Sequence, residues 1–152
     1  MLFAGAGLLC AQAGSTAAEM DALLESSALT CGQAARFVIV TARLLNEDSP
    51  EDAAFDLALE RRWLPASAEP GQTITLGRLS HLIMGAFGFR GSFLYAVFPG
   101  PRYAFRELSY LSIIPARQDP AWPVPGERLL LILARAMQYR ENREIDITAE
   151  AL

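Results

Sequence analysis

The stretch AFDLALERRWLP at Ala54–Pro65 recurs fifty residues later as AFRELSYLSIIP at Ala104–Pro115. The alignment of the two stretches continues without a gap to Leu82–Ile83, which lies over Ile132–Leu133. A fixed period over such a length indicates an internal structural repeat. Apolar residues inside each stretch recur at helical spacing, and turn-forming residues follow them. Each repeat unit is therefore expected to be a helix, a loop and a second helix.

The first helix of the unit has recognisable ends. Ser49 is suited to cap its start, and Pro50 is suited to its first turn. Pro65 is expected to end the helix, because proline cannot continue one. In the next copy Gly100–Pro101 opens the helix and Pro115 is expected to end it.

The second helix of the unit has a cap position that occurs three times. Thr75 is the candidate cap in the second unit, and Pro125 takes the equivalent place in the third. An earlier copy begins at Thr30, and Gln33 follows three residues later, as a capping box requires. The sequence therefore predicts three copies of this helix.

The earliest unit is shorter than the others. The segment TAAEMDALLESS, Thr16–Ser27, has a helix-forming composition and lies where its first helix belongs. The predicted units are 15–46, 49–91 and 100–140, with six main helices. Because a helical hairpin cannot bury both of its faces alone, the units should share an interior. The prediction is an all-α fold of three helix-loop-helix repeats packed around a shared core.

The two ends of the chain are predicted to lie outside this domain. Residues 1–13 are apolar and uncharged and end in Ala11-Gln12-Ala13, a pattern typical of a signal peptide, so we expect export with Gly14 as the mature start. No basic residue precedes this run, so the alternatives are a start farther upstream or a buried helix. Residues 141–152 are predicted to be a polar tail or linker. No stretch of 18 uncharged apolar residues predicts a membrane span.

One segment concentrates the residues suited to binding. Residues 71–117 contain five Arg and one Glu, whereas the whole chain has a net charge of -4. They include Gly88–Phe105, an insert between the second and third units that is rich in aromatic residues. Its other notable residues are Phe89, Arg90, Phe93, Tyr95, Phe98, Arg102 and Tyr103. Aromatic faces stack on sugar rings and Arg pairs with carboxylate or phosphate, which suits an anionic glycan. The alternative is that these rings pack into the core.

Catalytic motifs are absent from the sequence. His81 is the single histidine and lies within an apolar helix; Cys31 can pair with it in principle, but the simpler interpretation is structural for both. No spacing typical of a metal site or a phosphate-binding loop occurs, so we expect no cofactor, no metal and no enzymatic activity. An acidic chain also argues against nucleic acid as a partner.

The stretches LTCGQAARF (29–37), ITLGRLSHL (74–82) and VPGERLLLI (124–132), with the helices that precede the last two, carry a resemblance. Over about residues 16–140 the chain resembles the S-layer homology repeat family. In that family a helix and a loop lead to a second helix, which is opened by a motif of the form Ile-Thr-Arg-Ala-Glu. The resemblance implies a three-lobed helical domain that binds anionic glycan polymers of the cell wall and anchors exported proteins.

The resemblance leaves the ligand contacts less defined than the fold. The motif arginine is a main polymer contact in that family, and its positions here hold Cys31, Leu76 and Gly126. The motif Glu position holds Gln33 in one copy and Arg78 in another.

These patterns predict a non-catalytic module that binds an anionic cell-wall polymer or an envelope protein. The candidate ligand-binding residues are Arg36, Arg78, Arg90, Tyr95, Arg102 and Tyr103. The alternative is a structural or protein-interaction module that keeps the repeat and uses an apolar groove near Phe93–Tyr103.

Overall fold

The computed structural model describes residues 17–150, which contain seven helices and no strand. The helices are α1 (17–25), α2 (Cys31–Thr41), α3 (Glu51–Glu60), α4 (Leu76–Ala86), α5 (Phe93–Val97), α6 (Pro101–Tyr110) and α7 (Gly126–Glu150). The predicted all-α class is confirmed for this part of the chain. Helix α5 lies within the insert and was not predicted. The predicted signal peptide lies outside the described residues.

The predicted starts of three helices are confirmed. Thr30 and Gln33 form a reciprocal capping box at α2, and the Thr75 side chain accepts a hydrogen bond from the Arg78 amide at α4. Pro101 occupies the first turn of α6. The predicted cap Ser49 is wrong by one residue. Pro50 is the N-cap of α3 because its backbone is still extended, with ψ at 156°.

The predicted ends of α3 and α6 are also wrong, because both helices stop before the prolines. Helix α3 ends at Glu60 and α6 at Tyr110. Arg62 and Ser112 follow two residues later with a φ of 59°, in the left-handed region. A left-handed residue just past a helix turns the chain so that the next amides satisfy the last free carbonyls. This local geometry ends both helices before a proline is needed.

Tightly packed helix pairs join one predicted unit to the next. Helix α2 packs against α3, and α4 packs against α6. At the other junction the Gly126 amide donates to the Ser26 carbonyl at 3.0 Å, and the Gly126 Cα faces the Leu23 carbonyl. Each contact places the second helix of one unit beside the first helix of another. The apolar stripes are therefore buried mainly between units.

Short extended segments before α2, α4 and α7 meet inside the molecule. The Leu29 amide donates to the Val124 carbonyl, and the Ile74 amide donates to the Leu29 carbonyl, both at 2.9 Å. All three side chains are fully buried. Around them lie further buried residues that occupy matching places in the fifty-residue repeat: Ala54 and Ala104, Leu64 and Ile114, Leu79 and Leu129, Ile83 and Leu133.

Helix α7 is the longest helix and continues beyond the predicted third unit. Residues 141–150 of the predicted polar tail are helical as far as Glu150. Within residues 17–150, no helix combines the length and apolar character needed to cross a membrane.

Candidate insert surface

The insert between α4 and α6 presents some of its aromatic rings to solvent and packs others inside. Phe89 is buried, Tyr95 and Phe105 are half-buried against the core, and Tyr103 is half-buried. Phe93 and Phe98 remain 81% and 59% exposed. The core-packing interpretation thus applies to Phe89, whereas Phe93 and Phe98 are left in solvent. We call the exposed face of Gly88–Tyr103 the insert surface.

Helix α5 stands outward because it is held at a few points only. None of its residues is buried, and it packs mainly on α6. Two side-chain contacts attach it to the body. The Ser92 hydroxyl donates to the Glu107 carboxylate on α6, and the Tyr95 hydroxyl lies 3.2 Å from His81 Nδ1 on α4.

His81 therefore serves as a link between three elements. Its Nε2 lies 3.2 Å from the Arg62 carbonyl, which can only accept, so Nε2 carries the proton. Nδ1 is then free to accept from the Tyr95 hydroxyl. Burial lowers the pKa of His81, and the bond to the Arg62 carbonyl opposes this shift. Burial, followed by the nearby Glu107 carboxylate, raises the pKa of Tyr95.

Cys31 and His81 do not form a catalytic pair in this arrangement. Both ring nitrogens of His81 are engaged by Arg62 and Tyr95. Cys31 is fully buried, and its charged neighbour is Arg78. Burial raises the pKa of the Cys31 thiol more than Arg78 lowers it, so the nucleophilic thiolate is disfavoured. Within residues 17–150, no group of three or more His, Cys, Asp or Glu side chains is placed to hold a metal ion.

Two of the predicted ligand-binding arginines hold loops together. Arg36 donates from Nε to the Ser49 carbonyl and from Nη2 to the Glu47 carbonyl, each at 3.1 Å, and forms a 3.0 Å salt bridge with Glu19. Arg78 donates to the Gln72 side chain at 3.0 Å. These bonds attach α2 to the α2–α3 loop and α4 to the α3–α4 loop. They do not lead to the insert.

The other four predicted residues belong to the insert itself. Arg90 and Arg102 are exposed, Arg90 before α5 and Arg102 in the first turn of α6. The Tyr103 ring stacks on Phe98 with centroids 6.3 Å apart. Tyr95 contributes its hydroxyl to the link with His81 and so positions α5. Arg90, Tyr95, Arg102 and Tyr103 thus belong to the insert, whereas Arg36 and Arg78 bond to loops outside it.

The positions of the family's motif arginine are interior in this chain. Cys31 and Leu76 are fully buried, and Gly126 is buried as well. Their amides donate to carbonyls of the neighbouring units, at Gln72, Trp122 and Ser26 respectively. A ligand at the surface cannot reach these three residues.

Sequence reasoning did not single out two exposed aromatic residues. Tyr110 is 86% exposed on α6, and Trp122 is 46% exposed in the loop before α7. The alignment of the repeats could have identified Trp122 as exposed, because it places Trp122 over Gln72, which is an exposed loop residue. A large aromatic ring at such a position is a candidate contact.

Comparisons of the chain with protein-family models, with curated proteins and with solved structures give no match. The resemblance to S-layer homology repeats therefore depends on the motifs of the sequence.

Proposed function

We propose that the chain forms three repeats arranged with approximate threefold symmetry around the buried segments at Leu29, Ile74 and Val124. Matched backbone bonds support this arrangement. Cys31 donates to Gln72, Leu76 to Trp122 and Gly126 to Ser26, so that each unit bonds to the next and the third returns to the first. The helix ends also correspond, since Arg62 and Ser112, fifty residues apart, share the same left-handed turn.

We propose that this scaffold is a non-catalytic cell-envelope module that binds an anionic wall polymer. The observation that supports it is the insert surface, where Phe93 and Phe98 are exposed, the Tyr103 ring stacks on Phe98, and Arg90 and Arg102 are exposed in the same segment. Ring faces suit sugars, and guanidinium groups suit carboxylate or phosphate. Because the motif positions are buried, recognition in this chain would have moved from the motif to the insert.

Export is part of the same proposal. It is supported by the apolar segment 1–13 and its Ala11-Gln12-Ala13 ending. N-terminal sequencing of the chain recovered from the envelope of a bacterial host should give Gly14 as the first residue. Recovery of the intact N-terminus from the cytoplasm would contradict export.

Polymer binding can be tested by sedimentation with purified, lipid-free wall sacculi, with and without their anionic polymers. We expect the chain to pellet with intact sacculi and to be released when the polymers are stripped. Arg90→Gln with Arg102→Gln should weaken binding by about tenfold or more, because a hydrogen bond to a charged group contributes about 1.5–3 kcal/mol.

The matched control is Arg61→Gln with Arg62→Gln, which removes two exposed charges outside the insert. This variant should bind like the unmodified chain. Pelleting no greater than that of an unrelated helical protein of similar charge would remove the polymer as ligand.

The burial of Cys31, Leu76 and Gly126 favours a second candidate, a structural or protein-interaction module without polymer binding. In that case the sacculi would not retain the chain. A defined envelope protein would instead co-purify with it after crosslinking, and this partner would be lost when Phe93 is replaced by Ser.

A further inference from the structure

Four large apolar side chains stand in solvent on one short segment of the insert. Phe93, Leu94, Val97 and Phe98 are 81%, 46%, 48% and 59% exposed. They make up four of the thirteen exposed large hydrophobic residues in 17–150, yet occupy six consecutive positions. A contiguous exposed apolar patch marks an interaction site more often than scattered residues do. We call these four residues the apolar turn.

Positive charge flanks the apolar turn along the chain. Arg90 precedes it, and Arg102 and Arg106 follow it; all three are exposed. None of them forms a salt bridge within the part of the chain that the structure describes. Glu107, the one acidic residue of 71–117, is bonded to the Ser92 hydroxyl. The partner that complements this patch is therefore apolar at its centre and anionic around it.

The shape of the patch distinguishes a membrane from a protein partner. Helix α5 has no buried residue and is attached through α6 and the Tyr95–His81 bond, so its apolar side chains project from the body. Four side chains fall well short of the roughly 800 Å² per partner that a stable protein complex buries. Insertion into a bilayer surface has no such threshold and combines buried apolar area with attraction to anionic lipids.

We propose that the apolar turn inserts into the surface of a bilayer that contains anionic lipids. Phe93, Leu94, Val97 and Phe98 would enter the boundary between headgroups and acyl chains. Arg90, Arg102 and Arg106 would remain at the level of the lipid phosphates, where guanidinium groups pair with them. This contact goes beyond polymer binding and does not depend on it.

Vesicle flotation tests the proposal, with phosphatidylcholine vesicles compared with vesicles that also contain phosphatidylglycerol. The full chain should float with the anionic vesicles, and Phe93→Ser with Val97→Ser should reduce this binding by about tenfold or more, because binding scales with buried apolar area. The matched control is Ile145→Ser with Ile147→Ser, two similarly exposed residues on α7. The apolar segment 1–13 is present in all variants, so differences between them report on the substituted residues.

Variants that lack arginine charges test the contribution of the lipid headgroups to binding separately from that of apolar contact. Arg90→Gln with Arg102→Gln should lose the preference for anionic vesicles, whereas Arg61→Gln with Arg62→Gln should keep it. Equal flotation of the Phe93→Ser, Val97→Ser variant and the unmodified chain would overturn the proposal. Equal binding to neutral and anionic vesicles would overturn it as well.

Self-association is the other outcome that would overturn it. A dimer in analytical ultracentrifugation that Phe93→Ser with Val97→Ser abolishes, in a chain that does not float, would assign the patch to a protein contact. Because sacculi contain no lipid, failure of sedimentation would count against polymer binding alone. Failure of flotation would count against membrane contact alone.

Discussion

Within residues 17–150, three residues other than glycine adopt a left-handed backbone conformation just past the end of a helix. Arg43, Arg62 and Ser112 have φ values of 64°, 59° and 59°, and Gly88 takes the same role at 64°. In an L-residue this conformation costs roughly 1–2 kcal/mol, which only glycine avoids. Each of these turns offsets the cost with two backbone bonds; at α3 the Arg62 amide donates to Leu59 and the Trp63 amide to Ala58.

The protonation of His81 makes the stability of the folded chain depend on pH. Burial lowers its pKa in the folded chain below the ordinary value, so the unfolded chain binds the proton more readily. Its contribution to stability is full above about pH 6.5, the ordinary pKa of histidine, and is lost as the pH falls from there toward the lower folded pKa. Urea unfolding between pH 7.5 and 5.5 should therefore show a larger loss for the unmodified chain than for His81→Gln.

The comparison of the unmodified chain with His81→Gln reports on a single imidazole, because His81 is the only histidine of the sequence. Carboxylates titrate in both proteins alike, so their effect cancels in the difference. Parallel stability curves for the two proteins over this range would show that burial of His81 does not disfavour its protonation.

At the scale of elements, α3 and α6 share a backbone pattern and differ in the volume that they bury. Ala58 and Leu108 occupy the same place in the repeat, and both are fully buried. The Leu64 and Ile114 amides that follow donate to the carbonyls of these two residues. The residues that pack around α6 must therefore leave space for the Leu108 side chain. Those that pack around α3 accommodate only the smaller Ala58.

Leu108→Ala should lower the free energy of unfolding by about 2–5 kcal/mol, because it leaves a cavity between α4 and α6. Chemical denaturation provides the measurement. Leu131→Ala, at a position on α7 that is 45% exposed, is the control and should change stability by much less. Equal losses for the two variants would mean that the space around Leu108 collapses freely or that Leu131 is buried in solution.

At the scale of the whole molecule, α7 ties the units together. The Arg140 guanidinium lies 5.0 Å from the centre of the Phe87 ring, and its Nη1 donates to the Ala42 carbonyl at 3.4 Å. The Tyr139 ring meets Phe89 edge-on at 5.2 Å. These contacts reach the C-terminal ends of both α2 and α4. Beyond them, side chains of 141–149 are mostly exposed.

Two truncations test the packed part of α7 and its exposed end separately. A chain that ends after Arg140 should melt close to the full chain, because residues 141–149 bury little surface. A chain that ends after Gln138 should lose about 1–3 kcal/mol more, through the aromatic pair and the cation–π contact. Thermal unfolding followed by circular dichroism measures both. A large drop already in the longer truncation would show that the exposed end of α7 contributes to the fold.

The sequence alone predicts the helices, most of their starts and the fifty-residue repeat. This is possible because helix caps and apolar periodicity depend on residues that lie within a few positions of one another. The capping box at Thr30 and the side-chain cap at Thr75 depend on neighbours three positions away, and the structure contains both. The group of insert residues could be predicted for the same reason. Arg90, Tyr95, Arg102 and Tyr103 lie within one short stretch of the chain and therefore belong to the same insert.

Tertiary packing decided what local sequence could not. Arg36, a predicted ligand contact, bonds to the Ser49 carbonyl and to Glu19, which lie 13 and 17 residues away along the chain. His81 meets Tyr95 and Arg62, which lie 14 and 19 residues away along the chain. Whether Phe89 is buried and Phe93 is exposed depends on which face of the insert meets α7 and α6. Such contacts form between segments that are far apart in the chain. A local sequence pattern does not show which distant segment will pack against it.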